Sequence, residues 1–344
     1  MAMSPLVRGL HHITLITRNY AVNRWFYTKI MGMHVVKYSV NQDDPLHRHV
    51  FYSPPGAELG GAITFFEYTD AQEARPGIGV HHHLAYRVRS VDDLARIASW
   101  LKYNGVPFKG PVEYAGRVSI YFRDPDGSRL EICARASGKM LADYLTEEIE
   151  KMDNIDSSER APILGPFDHA SPLTGDPVLV ERFAEKVLGL RPVFKDRSPG
   201  GALIVGLGLG EDAFLHYLYL PRARPGIMGY GGIHHIALTA EPEMQVEVMR
   251  RLDRMGWSNS GLVDRVWFRS LYFRDPEGNL LEVATPGPGY GVDEPAGKGQ
   301  RLVLPSWLEP YRKQIEEYLK IIDSSNVPVL PPKYPEHADA PESV

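Results

Sequence analysis

The stretch Tyr121-Phe-Arg-Asp-Pro-Asp-Gly-Ser-Arg-Leu-Glu131-Ile132 recurs as Tyr272-Phe-Arg-Asp-Pro-Glu-Gly-Asn-Leu-Leu-Glu282-Val283, 151 residues later. A histidine cluster stands upstream of each copy. It reads Gly79-Val-His81-His82-His83 before the first and Gly232-Ile-His234-His235 before the second. His82 precedes Glu131 by 49 residues, and His235 precedes Glu282 by 47. Two anchors at nearly equal spacing mark an internal repeat, which constrains the fold more than any single element does.

The repeating unit is shorter than half the chain. Gly9-Leu-His11-His12-Ile-Thr14 and Gly165-Pro-Phe-Asp168-His169 open two further segments of the same kind. Behind each of the four openings, apolar residues recur at helical spacing. They are Val22, Phe26 and Ile30; Leu94, Ile97 and Leu101; Val180, Phe183 and Val187; and Val248, Leu252 and Met255. Each run ends at a glycine (Gly32, Gly105, Gly189, Gly256), the residue best suited to the left-handed position that closes a helix. Short β-type runs follow, with Asp-Pro-Asp-Gly at 124–127 and Asp-Pro-Glu-Gly at 275–278 as turns. The unit reads strand, helix and about three strands, which predicts an α+β fold of four βαβββ modules.

The expected organisation is an N-terminal domain of two modules over 1–135 and a C-terminal domain of two modules over 163–286. A helical linker over 136–162 joins them, with a helix at Lys139–Met152 and a charged stretch at Asp153–Arg160. An extension over 287–323 carries a short helix near Tyr311–Ile322, and the Pro-rich segment 324–344 reads as a loose tail.

Composition narrows the function. Of 344 residues, 38 are Lys or Arg and 43 are Asp or Glu, for a net charge of −5. A mildly acidic chain lacks the cationic excess that a general nucleic-acid binder uses to displace counterions. The single cysteine, Cys133, excludes an internal disulfide and any Cys-based zinc or iron–sulfur cage. No apolar run reaches the roughly 18 residues of a membrane span, and Met1–Arg8 lacks a secretory core. The expectation is a cytoplasmic protein with small-molecule partners, no nucleic acid and no membrane. Association into a homo-oligomer is left open.

Histidines near the start of four strands, with glutamates on two return strands, suit a facial triad. Two imidazoles and one carboxylate hold a divalent metal and leave positions open, the donor set of non-haem iron(II) above all. The imidazoles must be neutral and the carboxylate ionised. Successive side chains of a strand point to opposite faces. His11 and His12, or His234 and His235, can therefore serve one site only if a bulge or twist breaks the strand.

The arrangement resembles the vicinal oxygen chelate superfamily, which includes glyoxalase I, bleomycin-resistance proteins and type I extradiol dioxygenases. Their βαβββ modules pair into two cupped mixed sheets. The closer similarity is to ring-cleaving dioxygenases related to 2,6-dichlorohydroquinone 1,2-dioxygenase. It rests on Gly9-Leu-His11-His12-Ile-Thr14, Met31-Gly-Met-His-Val-Val-Lys37, Asn41-Gln-Asp-Asp-Pro45, Gly232-Ile-His234-His235, Asp264-Arg265, Tyr272, Glu282, and the segments Pro286–Glu294 and Leu302–Glu309.

This resemblance implies Fe(II), with Mn, Zn or Ni as alternatives, held by His12, His235 and Glu282. It implies a small aromatic substrate of hydroquinone or catechol class, and O2. His11 and His234 become candidate acid–base groups, Tyr272 a hydrogen-bond donor, and Arg265 a group that stabilises developing anionic charge. Ordinary extradiol enzymes imply instead the set His169, His235 and Glu282. A second site of His82, His169 and Glu131 also stays open. Trp25, Phe65, Phe66, Tyr217 and Trp267 are candidates to line the cup. Two alternatives stand beside the dioxygenase: a glyoxalase-type metal-dependent isomerase or lyase, and an aromatic-ligand-binding resistance protein.

Overall fold

The structure, a computed structural model, describes residues 4–136, 141–151, 163–198, 200–210, 213–294 and 299–335. Four modules follow one another. The first is β1 (Leu10–Thr17), α1 (Tyr20–Trp25), β2 (His34–Asn41), β3 (Asp44–Ser53) and β4 (Ala62–Glu67). The second is β5 (His83–Val88), α2 (Val91–Tyr103), β6 (Phe108–Tyr114), β7 (Arg117–Arg123) and β8 (Arg129–Arg135). After α3 (Leu141–Lys151) the third runs through β9 (Phe167–Ser171), a short β10 (Leu173–Thr174), α4 (Pro177–Leu188), β11 (Pro192–Arg197), β12 (Leu203–Gly208) and β13 (Phe214–Tyr219). The fourth is β14 (Ile233–Thr239), α5 (Pro242–Arg254), β15 (Asn259–Asp264), β16 (Phe268–Arg274) and β17 (Leu280–Pro288), and α6 (Arg312–Ser325) ends the fold.

Local chemistry sets the helix limits. Ser90 caps α2 by accepting from the Asp93 amide at 3.1 Å, and Leu94, Ile97 and Leu101 form its buried stripe. Asp176 caps α4 through the Val178 and Leu179 amides, with Pro177 at the first helical position. Gly32, Gly105, Gly189 and Gly256 take φ of 65°, 69°, 72° and 63°. These are left-handed values, as the spacing predicts.

The two sheets run β15-β16-β17-β14-β1-β4-β3-β2 and β11-β12-β13-β9-β5-β8-β7-β6. The first joins modules one and four and the second joins modules two and three. Each sheet thus takes one module from either half of the sequence, and one apolar cluster from Leu6 to Val283 runs through all four modules. The boundary at 136–162 is therefore not a boundary between sheets. Of that linker, Leu141–Lys151 is helical, while Asp153–Arg160 lies outside the described residues.

The C-terminal extension buttresses module one. Lys37, fully buried, donates to Asp293 at 2.6 Å and to Glu294 at 2.8 Å. Arg48 bridges Glu67 to Asp323 and to the Leu319 carbonyl on α6. A buried cation needs such partners, because losing one leaves an uncompensated charge. The segment read as a loose tail is partly tied down. Asn326 accepts from Asn19 and donates to the Arg18 carbonyl, and Tyr334 packs beside Phe26. The remainder, 336–344, lies outside the described residues. No described helix is long and apolar enough to cross a membrane.

Candidate metal centre and cavity

The first triad forms where β1, β14 and β17 lie side by side. The antiparallel register pairs His12 with Ala237 and Thr14 with His235, and the parallel register pairs Ala237 with Glu282. His12 Nε2 lies 3.3 Å from His235 Nε2 and 3.3 Å from Glu282 Oε2, and His235 Nε2 lies 3.0 Å from that same oxygen. All three side chains are buried. The other carboxylate oxygen, Oε1, accepts from Ser270 at 2.5 Å.

The donor set fits a divalent cation. Glu282 Oε2 is buried without a hydrogen-bond donor, which is costly for a carboxylate. The partners also assign the tautomer of His12. The Thr285 carbonyl, 3.2 Å from His11 Nε2, can only accept, so that nitrogen carries the proton of a neutral His11. His11 Nδ1 then accepts from His12 Nδ1 at 2.9 Å, which leaves the His12 Nε2 lone pair facing the triad centre. Burial lowers the His11 pKa to about 3, consistent with the neutral ring.

Both histidine pairs depend on bulges. The β1–β14 ladder pairs Leu10 with Leu238 and then His12 with Ala237, so His11 is an extra residue. It pairs Thr14 with His235 and then Leu15 with Ile233, so His234 is the extra residue on β14. An extra residue reorients its side chain, and each bulged histidine turns its Nδ1 to the Nδ1 of the next.

The triad opens on a cavity of about 330 Å³. A dry cavity of about 150 Å³ holds benzene, so this one has room for a substituted aromatic ring. Phe51, Phe66, Trp267 and Phe268 supply apolar wall, and Arg265, Tyr272, His234 and His49 supply polar edge. Arg265 makes a two-point ion pair with Asp43 at 3.0 and 2.7 Å and lies over the Tyr272 ring. Burial first, and the Glu282 charge second, raise the Tyr272 pKa, so the phenol keeps its proton at neutral pH.

Of the expected site residues, His12, His235, Glu282, His234, Arg265 and Tyr272 come together here. His11 does not border this cavity. Both its ring nitrogens are engaged, Nδ1 with His12 and Nε2 with the Thr285 carbonyl. Phe66 and Trp267 line the cavity, whereas Phe65 and Tyr217 belong to the apolar core and Trp25 packs against it.

Sequence reasoning missed His49 and Asp43. His49 alternates with Phe51 on the same face of β3. Its Nε2 starts a hydrogen-bonded chain through Thr64 (2.9 Å) and Thr14 (2.8 Å) to His235 (3.0 Å). Asp43 sits in the turn between β2 and β3, where only tertiary packing brings it to Arg265.

The alternative set with His169 does not assemble, because His169 lies in the other sheet. There it meets Glu131 and His83, in place of the expected His82. The ladder pairs Ala85 with Glu131 as it pairs Ala237 with Glu282, and the triad histidine stands two residues earlier in both. Aligning His82-His83-Leu-Ala with His234-His235-Ile-Ala gives this register from sequence. Matching the upstream glycines instead shifts it by one residue.

The pattern of the Glyoxalase/Bleomycin resistance protein/Dioxygenase superfamily matches residues 9–132 and 167–283. A protein of Bacillus subtilis (strain 168), provisionally named ring-cleaving dioxygenase MhqA, is 33% identical over 92% of this chain and 99% of its own length. Chlorohydroquinone/hydroquinone 1,2-dioxygenase of Sphingobium indicum is 24% identical over 92% of this chain and 97% of its own. The crystal structure of a provisionally named dioxygenase from Bacillus subtilis subsp. subtilis str. 168 superposes with a TM-score of 0.78 at 30% identity, covering 92% of this chain and 97% of that one. Glyoxalase I from Zea mays shares the fold, with a TM-score of 0.60 at 18% identity over 81% of this chain and 92% of that one.

Proposed function

The chain belongs to the Glyoxalase/Bleomycin resistance protein/Dioxygenase superfamily, and on that premise we propose that it is an iron(II)-dependent, extradiol-type ring-cleaving dioxygenase acting on a hydroquinone- or catechol-class aromatic. The observation that carries the reading is the His12, His235 and Glu282 triad at the wall of a cavity sized and lined for an aromatic ring. Bound by those three residues, iron(II) supplies open coordination positions and the one-electron chemistry through which O2 reacts with a closed-shell ring.

The chain's own residues account for binding and proton handling. Phe51, Phe66 and Phe268 bury the ring and exclude water. Tyr272 donates its phenolic proton to a ring oxygen. His234 and His49, neutral at physiological pH and bordering the cavity, are placed to hydrogen-bond a hydroxyl of the ring. Arg265 offers a cation where negative charge develops on oxygen. A hydroquinone has no bond between two hydroxyl-bearing carbons, which for that substrate class supports cleavage beside a hydroxyl, of the extradiol kind.

The test is metal analysis of anaerobically purified protein, followed by oxygen uptake with hydroquinones and catechols. Iron at His12, His235 and Glu282, with one O2 consumed per ring opened, is the expected result. Turnover without O2 by a zinc, nickel or manganese form would replace this reading with the isomerase one. An aromatic ligand that binds unaltered to metal-free protein would make the chain a binding protein.

A further inference from the structure

We propose that this chain holds a second divalent first-row metal ion, bound by His83 Nε2, His169 Nε2 and Glu131 Oε2 and closed to substrate by Tyr114. The inference is independent of the dioxygenase reading, because it concerns metal content and not turnover.

The second triad has the dimensions of the first. His83 Nε2 lies 3.3 Å from His169 Nε2 and 3.1 Å from Glu131 Oε2, and His169 Nε2 lies 3.2 Å from that oxygen. The three are at most 3% exposed. A serine supports the carboxylate in each, Ser119 here and Ser270 in the first. A hydroxyl also reaches the β-sheet partner's imidazole in each, Ser171 on His83 and Thr14 on His235.

The decisive contact is on His169. Its Nδ1 faces Asp168 Oδ1 at 3.0 Å, and a carboxylate only accepts, so Nδ1 carries the proton. In the neutral ring Nε2 is then a lone pair, aimed at a carboxylate oxygen 3.2 Å away. Two acceptors buried at that distance repel unless positive charge lies between them. His83 Nε2 meets the same Glu131 oxygen at 3.1 Å, so two ring nitrogens and a carboxylate oxygen converge on one point. A metal ion answers all three.

Asp168 is held in turn by Arg117 at 2.6 Å and Arg135 at 2.7 Å. A carboxylate that fixes the far nitrogen of a ligating histidine recurs in metal sites. The Tyr114 hydroxyl sits 2.8 Å from both Glu131 oxygens and 3.4 Å from His169 Nε2, and Tyr114 holds the repeat position of Arg265, which lines the cavity of the first triad. His216 stacks on His169 with ring centres 3.8 Å apart. With the Tyr114 hydroxyl bonded to the ligand carboxylate, the proposed role of this ion is structural and not catalytic.

The experiment counts metal per chain by mass spectrometry, on full-length protein purified anaerobically. Wild type should carry two ions, Glu282→Gln one, Glu131→Gln one, and the double variant none. Asp168→Asn in the Glu282→Gln background should weaken the remaining site by roughly 10- to 100-fold. Cobalt(II) added to metal-free Glu282→Gln protein should give a visible absorption band that Glu131→Gln removes. The Glu282→Gln protein keeps the second triad intact, so the test survives if Glu131→Gln fails to fold. One ion in wild type, with none and no cobalt band in Glu282→Gln, would overturn the proposal. The triad would then be held by a proton on His169 and by the Tyr114 and Ser119 hydrogen bonds.

Discussion

The sheet of modules one and four and the sheet of modules two and three present nearly congruent triads, and they part company one layer outward. The repeat places Tyr114 in the second where Arg265 stands in the first. Each precedes a non-glycine residue of positive φ, Ala115 at 47° and Val266 at 72°, in the turn between the first two strands after the helix, β6–β7 and β15–β16. Tyr114 folds its ring inward over Glu131. Arg265 reaches outward to Asp43 and leaves a cavity behind. The residue before the triad histidine also differs, His11 in module one and Asp168 in module three. Duplication kept the strand register that makes a triad. A few side chains facing it decide whether the triad meets substrate.

The largest contrast is expected from paired carboxamides. Glu282→Gln should remove the first metal and reduce oxygen uptake below detection. Glu131→Gln should leave kcat essentially unchanged and lower stability by at least about 1–3 kcal/mol, since it breaks a buried hydrogen-bonded group and also releases the second ion. Oxygen-electrode rates and urea melts on both proteins check this. Equal loss of activity in the two would end the division into an open and a closed site.

Exchanging the facing residue is the next step down. Arg265→Tyr should fill the first cavity, so metal content stays at the wild-type level while kcat/KM collapses. Tyr114→Ala should cost about 3–5 kcal/mol, as large-to-small changes of buried aromatics do. It should also open the second triad, so that a chelator strips its metal faster than in wild type. If Arg265→Tyr retains turnover, that position does not control access. A smaller effect belongs to Thr14, whose counterpart is Ser171. Thr14→Ser should be nearly silent, and Thr14→Val should cost about 1 kcal/mol for its hydrogen bonds to Thr64 and His235. Thermal melts of the two variants measure the difference.

Much of this contrast was legible in the chain, for reasons that differ by residue. The helix-ending glycines and the Asp-Pro-Xaa-Gly turns are local signals. Asp124 and Asp275 each accept two backbone amides in those turns, so nearby residues determine the geometry. The triad of His12, His235 and Glu282 followed from repeat spacing and resemblance together. The bulges at His11 and His234 did not, because a bulge is a property of two paired strands and each strand alone alternates regularly. Tyr114, His49 and Asp43 were equally hidden. Each reaches its triad or its partner across a turn or a neighbouring strand, and nothing in the local sequence separates them from ordinary strand and turn residues.

Asp43 carries the finest distinction between the two sites, because it sets the charge at the mouth of the open one. Its carboxylate is 71% exposed and meets an Arg265 side chain that is 15% exposed. An ion pair on such a rim contributes only about 0–1 kcal/mol to stability. Its influence on specificity is larger. With Asp43 in place the Arg265 charge is answered from within the protein, and a ring that brings its own carboxylate must compete for it. Neutral hydroquinones face no such competition. Asp43→Asn should therefore raise kcat/KM for carboxylate-bearing dihydroxybenzenes by about tenfold, the equivalent of roughly 1.4 kcal/mol. Neutral substrates should change little, and the melting temperature should hardly move. Steady-state oxygen uptake with a matched pair of rings, with and without the carboxylate, reads the ratio directly. An unchanged ratio would mean that Arg265 points its charge at Asp43 in the working enzyme for reasons of packing alone, and that selectivity is set by the aromatic walls.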